Sequence, residues 1–430
     1  MKKIIYILIV ACGMSMTSCN DWLDVLPKNE QVTADYWKTK EDVEAVLASG
    51  YVYMRQTTPR LIEWGELRGA SIYPYASSGA RAKLHNFQLT GTEDECKWSK
   101  FYEVINMANS VLDYAPGVAR IDDTYPEAAM KSHLTEAYFM RSLMYFYLVR
   151  NFQEVPLILT SYVDDSTPYS MAKSSEATII AQIKSDIIAA LTTEAAKEFF
   201  DHDNWNGASK GRATKWALYA LMADVCLWSE DYDECIKYAN LLIGATSAKR
   251  PVFMSIPEQW LTIYNPGNSN ESIFEMNWDG SVFGQTTNSP TKYFPMGVIN
   301  LLFSPAMGER LLTEDMTEVQ VGKESVRGSL GTYANLIESS DGIMYNVWKY
   351  VATEIRDIAA IRTTDDANYI IYRMADVMLM KAEALIWKGG LESWQQAVDI
   401  INQIRERSNL IPLDLILAEE NELSLLNYVL

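Results

Sequence analysis

The chain has 430 residues, 48% of them apolar, and a formal charge of -19. That length and apolar content support an ordinary hydrophobic core. The acidic balance disfavours nucleic acid and anionic lipid headgroups as partners, because both are bound through clustered Lys and Arg. Five cysteines are too few for a disulfide-stapled framework at this size.

At the N-terminus, Lys2 and Lys3 precede the apolar run "IIYILIVAC", which gives way to the small residues Gly13, Ser15, Thr17 and Ser18. A membrane-spanning helix needs about 20 apolar residues, roughly twice this run, so residues 1–18 read as a cleaved secretory signal. The signal ends in a small residue followed by Cys19, within "MTSCND". This resembles the bacterial lipobox, with Met16 in place of the usual leucine. In that motif the cysteine sulfur takes a diacylglycerol and becomes the new N-terminus, so Cys19 is the expected lipidation site. An unmodified secreted cysteine is the alternative. Each buried methylene of an acyl chain contributes about 0.8 kcal/mol to anchoring. Loss of the leader takes two lysines and leaves 35 basic against 56 acidic residues, net -21. Beyond Cys19, the remaining thiols are Cys96, Cys226 and Cys235, three that cannot all pair.

The segment from Glu63 to Glu95 holds no helical periodicity and is rich in Gly, Ser and Tyr, so it reads as an ordered loop insertion. A helix pair is expected from "KWSKFYEVINMANSVLDYA" and "EAAMKSHLTEAYFMRSLMYFYLVRNF". The next pair is "ATKWALYALMADVCLWSEDYDECIKYANLLIG", with Leu218, Leu221, Met222 and Val225 on its first helix and Ile236, Ala239 and Leu242 on its second. Small alanines at the crossing and Tyr232 just after the turn match the tetratricopeptide pattern. From Asn265 to Gly342 a second insertion is expected, with "ESIFEMNW" as its best strand. The clearest pair comes last. "NYIIYRMADVMLMKAEALIWKGG" carries Ile371, Met374, Ala375, Met378, Ala382 and Leu385 at helical spacing. Past Gly389-Gly390, Trp394, Ala397, Val398, Ile401 and Ile404 form a second face. So short a turn makes the two helices antiparallel. The pairs lie tens of residues apart, too far for a regular solenoid, which makes the body a helical scaffold interrupted by insertions.

Catalytic patterns fail. His85, His133 and His202 have no metal-ligand spacing among them. In "DHDNWNGASKGRAT", placing Gly207 at the turn of a calcium loop puts His202 and Ala213 where Asp and Glu belong, which rejects an EF-hand. A looser calcium site has no motif to support it, and no cofactor is expected. Ser209 sits in a Gly-x-Ser-x-Gly match, but no strand precedes it, so it reads as loop. Carboxylate pairs such as Asp122-Asp123, Asp164-Asp165 and Asp365-Asp366 read as solvated turns. Aromatic residues remain, at 11% of the chain. An indole or phenol ring offers a flat face to the C–H surface of a sugar and a polar edge for hydrogen bonds. Trp216, Trp228, Trp387, Trp394 and "YFYL" lie on expected helices and read as core. The loop residues Trp64, Tyr73, Tyr75, Trp278, Tyr293 and Phe294 are the ligand candidates.

Taken in order, Cys19, "DWLDVLPKNEQVTADYWKTKEDVEAVLASGYVYM", "WSKFYEVINMANSVLD", "EAYFMRSLMYFYLVRNFQEVPLI", "RATKWALYALMADVCLWSEDYDECIKYANLLI", "ESIFEMNW" and "YIIYRMADVMLMKAEAL" with "AVDIINQIRERSN" resemble the SusD/RagB family of outer-membrane lipoproteins of the Bacteroidetes. The resemblance implies an all-α fold: tetratricopeptide-like helix pairs in a right-handed scaffold, with long irregular insertions and little β structure. It implies one domain over 19–430, held on the outer surface by its acylated N-terminus. The implied partner is a SusC-like TonB-dependent transporter, to which an oligosaccharide is delivered without catalysis. Asp21 and Asp24 agree with surface export in this phylum. A peptide ligand, as for RagB, is the alternative, and a surface glycoside hydrolase a further one. The chain stops at "LILAEENELSLLNYVL", where the family continues with another helix, so a truncated C-terminus is expected.

Overall fold

The computed structural model describes residues 36–69, 71–162, 170–200, 209–294, 300–339 and 342–429. The signal segment and Cys19 lie outside these residues.

The first helix, α1, runs Lys40–Glu66. Thr39 opens it with a capping box, its hydroxyl accepting from the Asp42 amide while the Asp42 carboxylate accepts from the Thr39 amide, a device contributing about 1 kcal/mol. A short strand β1 (Ile72–Pro74) and helix α2 (Ala80–His85) follow, then α3 (Ser99–Val118), α4 (Glu127–Phe152) and α5 (Glu176–Thr192). After them come α6 (Lys215–Trp228) and α7 (Tyr232–Ile243), joined by a three-residue turn in which Glu230 is left-handed. The strands β2 (Ser272–Met276) and β3 (Leu301–Phe303) lead to α8 (Pro305–Thr317), and the strands β4 (Tyr333–Ser339), β5 (Gly342–Val347) and β6 (Tyr369–Arg373) lead to α9 (Met374–Lys388), α10 (Leu391–Arg407) and α11 (Glu422–Leu426).

The helices pack in chain order: α1 on α3, α3 on α4, α4 on α5, α5 on α6, α6 on α7, α7 on α9 and α9 on α10. Pairs separated by insertions in sequence are therefore neighbours in space. Ala217, Ala220, Ala223, Ala239, Ala375 and Ala382 are all fully buried, so the backbones approach closely without a side chain between them. Tyr232 stacks on Trp387 and ties the α6–α7 pair to α9. Helix α4 is buried on nearly every side from Thr135 to Val149, which is why its sequence is weakly amphipathic. Its buried charges are all paired: Glu136 takes two hydrogen bonds from Arg212 and one from the Tyr51 hydroxyl, and Arg141 forks onto Asp186 at 2.7 and 2.8 Å. Cys96, Cys226 and Cys235 are free.

The all-α class holds, and the helix pairs α1–α3, α4–α5, α6–α7 and α9–α10 carry the core. Four local expectations are corrected. Ile371 lies on β6, not on a helix: residues 369–373 pair antiparallel with β2, and the helix begins only at Met374. The insertion expected to start at Glu63 begins inside the last turn of α1, so that Trp64 is helical. The insertion expected over 265–342 contains α8, a helix with Ser304 as N-cap and Pro305 in its first turn. Among the aromatic residues read as core, Trp228 and Trp387 are 44% and 40% exposed, because both sit at helix ends on the outer edge.

Both insertions feed one antiparallel sheet in the order β1-β3-β5-β4. Tyr73 of the first lies opposite Leu302 of the second. The two segments, more than two hundred residues apart in sequence, are thereby held side by side.

Candidate functional site

Where the insertions meet, a cavity of about 390 Å³ is lined by Glu63, Pro74, Tyr75, Ser78, Arg81 and Asn300, among others. Each of these side chains is placed by a regular element. Glu63 sits on the last turns of α1, Tyr75 directly after β1, and Arg81 in the first turn of α2. Asn300 directly precedes β3 and is latched to the first insertion by the Tyr75 amide, which donates to its carbonyl at 2.9 Å.

Arg81 is the hub. Its Nε donates to Glu63 Oε1 at 2.9 Å, its Nη1 donates to Asn300 Oδ1 at 2.9 Å, and its guanidinium lies over the Tyr293 ring at 5.0 Å. Asn300 Nδ2 is spent on the Lys292 carbonyl. Below, Arg60 pairs with Glu63 and lies 3.7 Å from Glu95 Oε1. Glu95 Oε2 is buried without a hydrogen-bond partner. Burial, together with the Glu63 charge, pushes the Tyr293 phenol up to about 12, so it stays a neutral ring under the cation. The cleft thus offers a fixed guanidinium and, at its rim, the half-exposed ring of Tyr75. Such a set can hydrogen-bond hydroxyl groups while stacking on an apolar face.

The six aromatic candidates separate clearly. Tyr75 is 49% exposed and faces the cleft. Tyr73 is half-buried within the sheet beside it. Tyr293 is buried beneath Arg81, and Phe294 next to it is stacked on Tyr350. Trp64 is buried under the cleft, stacked on Phe101, with its Nε1 donating to the Glu95 carbonyl at 2.7 Å. None of these last three rings lines the cleft; they are buried behind it or away from it. Trp278 belongs to a separate cavity beside α1. Aromatic content points to the two insertions that line the cleft, but it passes over Arg81, Glu63, Glu95 and Asn300. Their role depends on the pairing of β1 with β3, for which neither strand carries a long enough pattern.

Among the described residues no helix is long and apolar enough to cross a membrane, and no three His, Cys, Asp or Glu side chains are grouped to hold a metal ion.

Two family models match the chain. The one described as "Starch-binding associating with outer membrane" matches residues 21–227, and the one described as "SusD family" matches residues 262–429. A SusD-like protein of Formosa agariphila is 24% identical over 95% of this chain and 82% of its own length. A crystal structure of a SusD superfamily protein from Bacteroides thetaiotaomicron superposes with a TM-score of 0.71 at 21% identity, covering 91% of this chain and 86% of that one. A laminarin-binding SusD-like protein superposes with a TM-score of 0.66 at 22% identity, over 90% and 89%. With family models matching residues 21–227 and 262–429, the chain belongs to the SusD/RagB family.

Proposed function

We propose that this protein binds a glycan oligomer at the cell surface, in the cleft between its two insertions, and passes it without catalysis to a SusC-like TonB-dependent outer-membrane transporter. The observation that carries the reading is the cleft itself: an exposed Tyr75 ring beside the Arg81–Asn300 pair, in a family whose matching model is described as starch-binding. The laminarin-binding neighbour supports a glycan as the ligand class. Of the carboxylates at the cleft, Glu63 is held by Arg60 and Arg81, and Glu95 faces Arg60 with one oxygen and has the other buried. Glycoside hydrolysis needs one carboxyl group free to give up a proton, so this arrangement supports capture rather than cleavage. Cys19 supplies the anchor, and residues 19–430 act as one unit.

Titrating the mature protein calorimetrically with neutral oligosaccharides and with peptides, and analysing the solutions for products, tests this. A glycan binds without turnover, and Tyr75→Ala weakens it about tenfold, the loss of roughly 1.4 kcal/mol of ring contact. Binding of peptides alone, product release, or unchanged affinity in Tyr75→Ala would each count against the reading.

A further inference from the structure

A second cavity, of about 370 Å³, opens on the other stretch of α1 and is walled by β2 and the segment that follows it. Arg55 and Glu63 are eight residues apart on α1, about 12 Å along the axis, which separates this cavity from the cleft. Its floor is apolar, formed by Met54, Phe274, Met276 and Trp278. Phe283, 55% exposed, stands at its lip.

Into this apolar setting α1 brings a cation without a counterion. Arg55 Nη1 donates to the Asn277 carbonyl at 3.2 Å and to Gln285 Oε1 at 2.5 Å, both neutral acceptors. Among the described residues no carboxylate comes within ion-pair distance of it. Burial alone lowers its pKa, with no acidic neighbour opposing. The acid in the cavity wall, Asp279, has its Oδ1 engaged by the Ser281 hydroxyl and the Val282 amide. Two further polar atoms at the cavity lack partners: Asn268 Oδ1 and Asn277 Oδ1 are buried and accept nothing. Asn277 cannot simply withdraw, because its amide nitrogen packs directly on Gly211, 2.1 Å from where a Cβ would stand.

Each of these features is costly alone. A half-buried charge without a counterion and buried acceptors without donors both oppose folding, and ordered water satisfies the amides but leaves the charge uncompensated. A ligand with one carboxylate, several hydroxyl groups and a flat C–H face answers all of them at once. The carboxylate matches the guanidinium fork, the hydroxyls donate to the asparagines, and the face lies on Trp278. The volume is at the small end for a ligand site, enough for one or two sugar residues.

We infer that this cavity is a second binding site, taking a sugar acid whose carboxylate pairs with Arg55 and whose ring packs between Trp278 and Phe283. The site gives Trp278 a ligand role separate from that of Tyr75. It also provides a way for a strongly acidic protein to hold an acidic sugar, since at physiological salt charges beyond about 8 Å are largely screened and the local Arg55 dominates.

Calorimetry with methyl glucuronide and methyl glucoside on the mature protein decides it. The glucuronide binds at least about tenfold more tightly than the glucoside. Arg55→Gln erases that preference, and Phe283→Ala, at an exposed lip, weakens the glucuronide. Equal affinity for the two glycosides, no glucuronide binding, or a preference that survives Arg55→Gln overturns the site. Benzoate binding as tightly as the glucuronide overturns the hydroxylated ligand. If Arg55→Gln does not fold, the wild-type comparison and Phe283→Ala still decide.

Discussion

At the scale of single residues, the helical core is held by charges that the sequence shows only as charges. Arg141 and Asp186 are spread across α4 and α5, and their fork is completed by Asn109 of α3, so one guanidinium fastens three helices. His133 is a different case. It is 5% exposed, with Nδ1 within 2.8 Å of the Tyr125 hydroxyl. Burial lowers its pKa against the opposing pull of Glu136 and Glu44. The unfolded chain then binds a proton that the folded one refuses. His133 therefore contributes stability that is present above the ordinary value of about 6.5 and is lost as pH falls through it towards the folded value. Urea midpoints measured at about pH 7.5 and 5.5 should differ less in His133→Gln than in the parent protein. An identical pH dependence in both would show that the group does not govern it.

At the scale of elements, local signals succeed where one face is buried and fail where the partner is distant. The α6–α7 and α9–α10 pairs are legible because alanines and aliphatic residues recur at helical spacing. The apolar residues of "YIIYR" continue the phase of α9 and by sequence read as its first turn. The segment becomes strand because β2 offers an edge across which Tyr372 faces Phe274. The opposite lesson comes from α8. Gly308 lies inside that helix, where alanine normally stabilises by about 0.5–1 kcal/mol. Here an added Cβ would stand 2.1 Å from the Tyr345 ring of β5. Gly308→Ala should therefore destabilise, by about 1–3 kcal/mol for an overpacked contact, read as a lower thermal midpoint. A midpoint at or above the parent's would mean that α8 lifts off the sheet without cost.

At the scale of the whole molecule, α1, α3 and the helices after them form a continuous stack, and the insertions leave it only to rejoin one another at β1–β3. Function depends on where that stack is held. Changing Cys19 to Ser removes the thiol that would be acylated and should move the protein from the membrane fraction to the soluble one. Persistence in the membrane fraction would refute lipid anchoring. Several acyl chains at about 0.8 kcal/mol per methylene leave no middle outcome.

The sequence by itself determined the helical class, three of the helix pairs, the family resemblance, a lipobox-like motif and the two segments in which aromatic residues gather. Those are properties of short-range order: period, caps, turn residues and motif spacing lie within tens of residues. Only the tertiary structure decided that Trp64, Tyr293 and Phe294 are buried while Tyr75 is not, that Arg81 meets Asn300, and that Arg55 has no counterion among the described residues. Those facts depend on pairing between strands three residues long and on the packing of α1 against segments more than two hundred residues away. Burial and charge compensation belong to the surroundings of a side chain, and distant parts of the chain supply those surroundings only once it is folded.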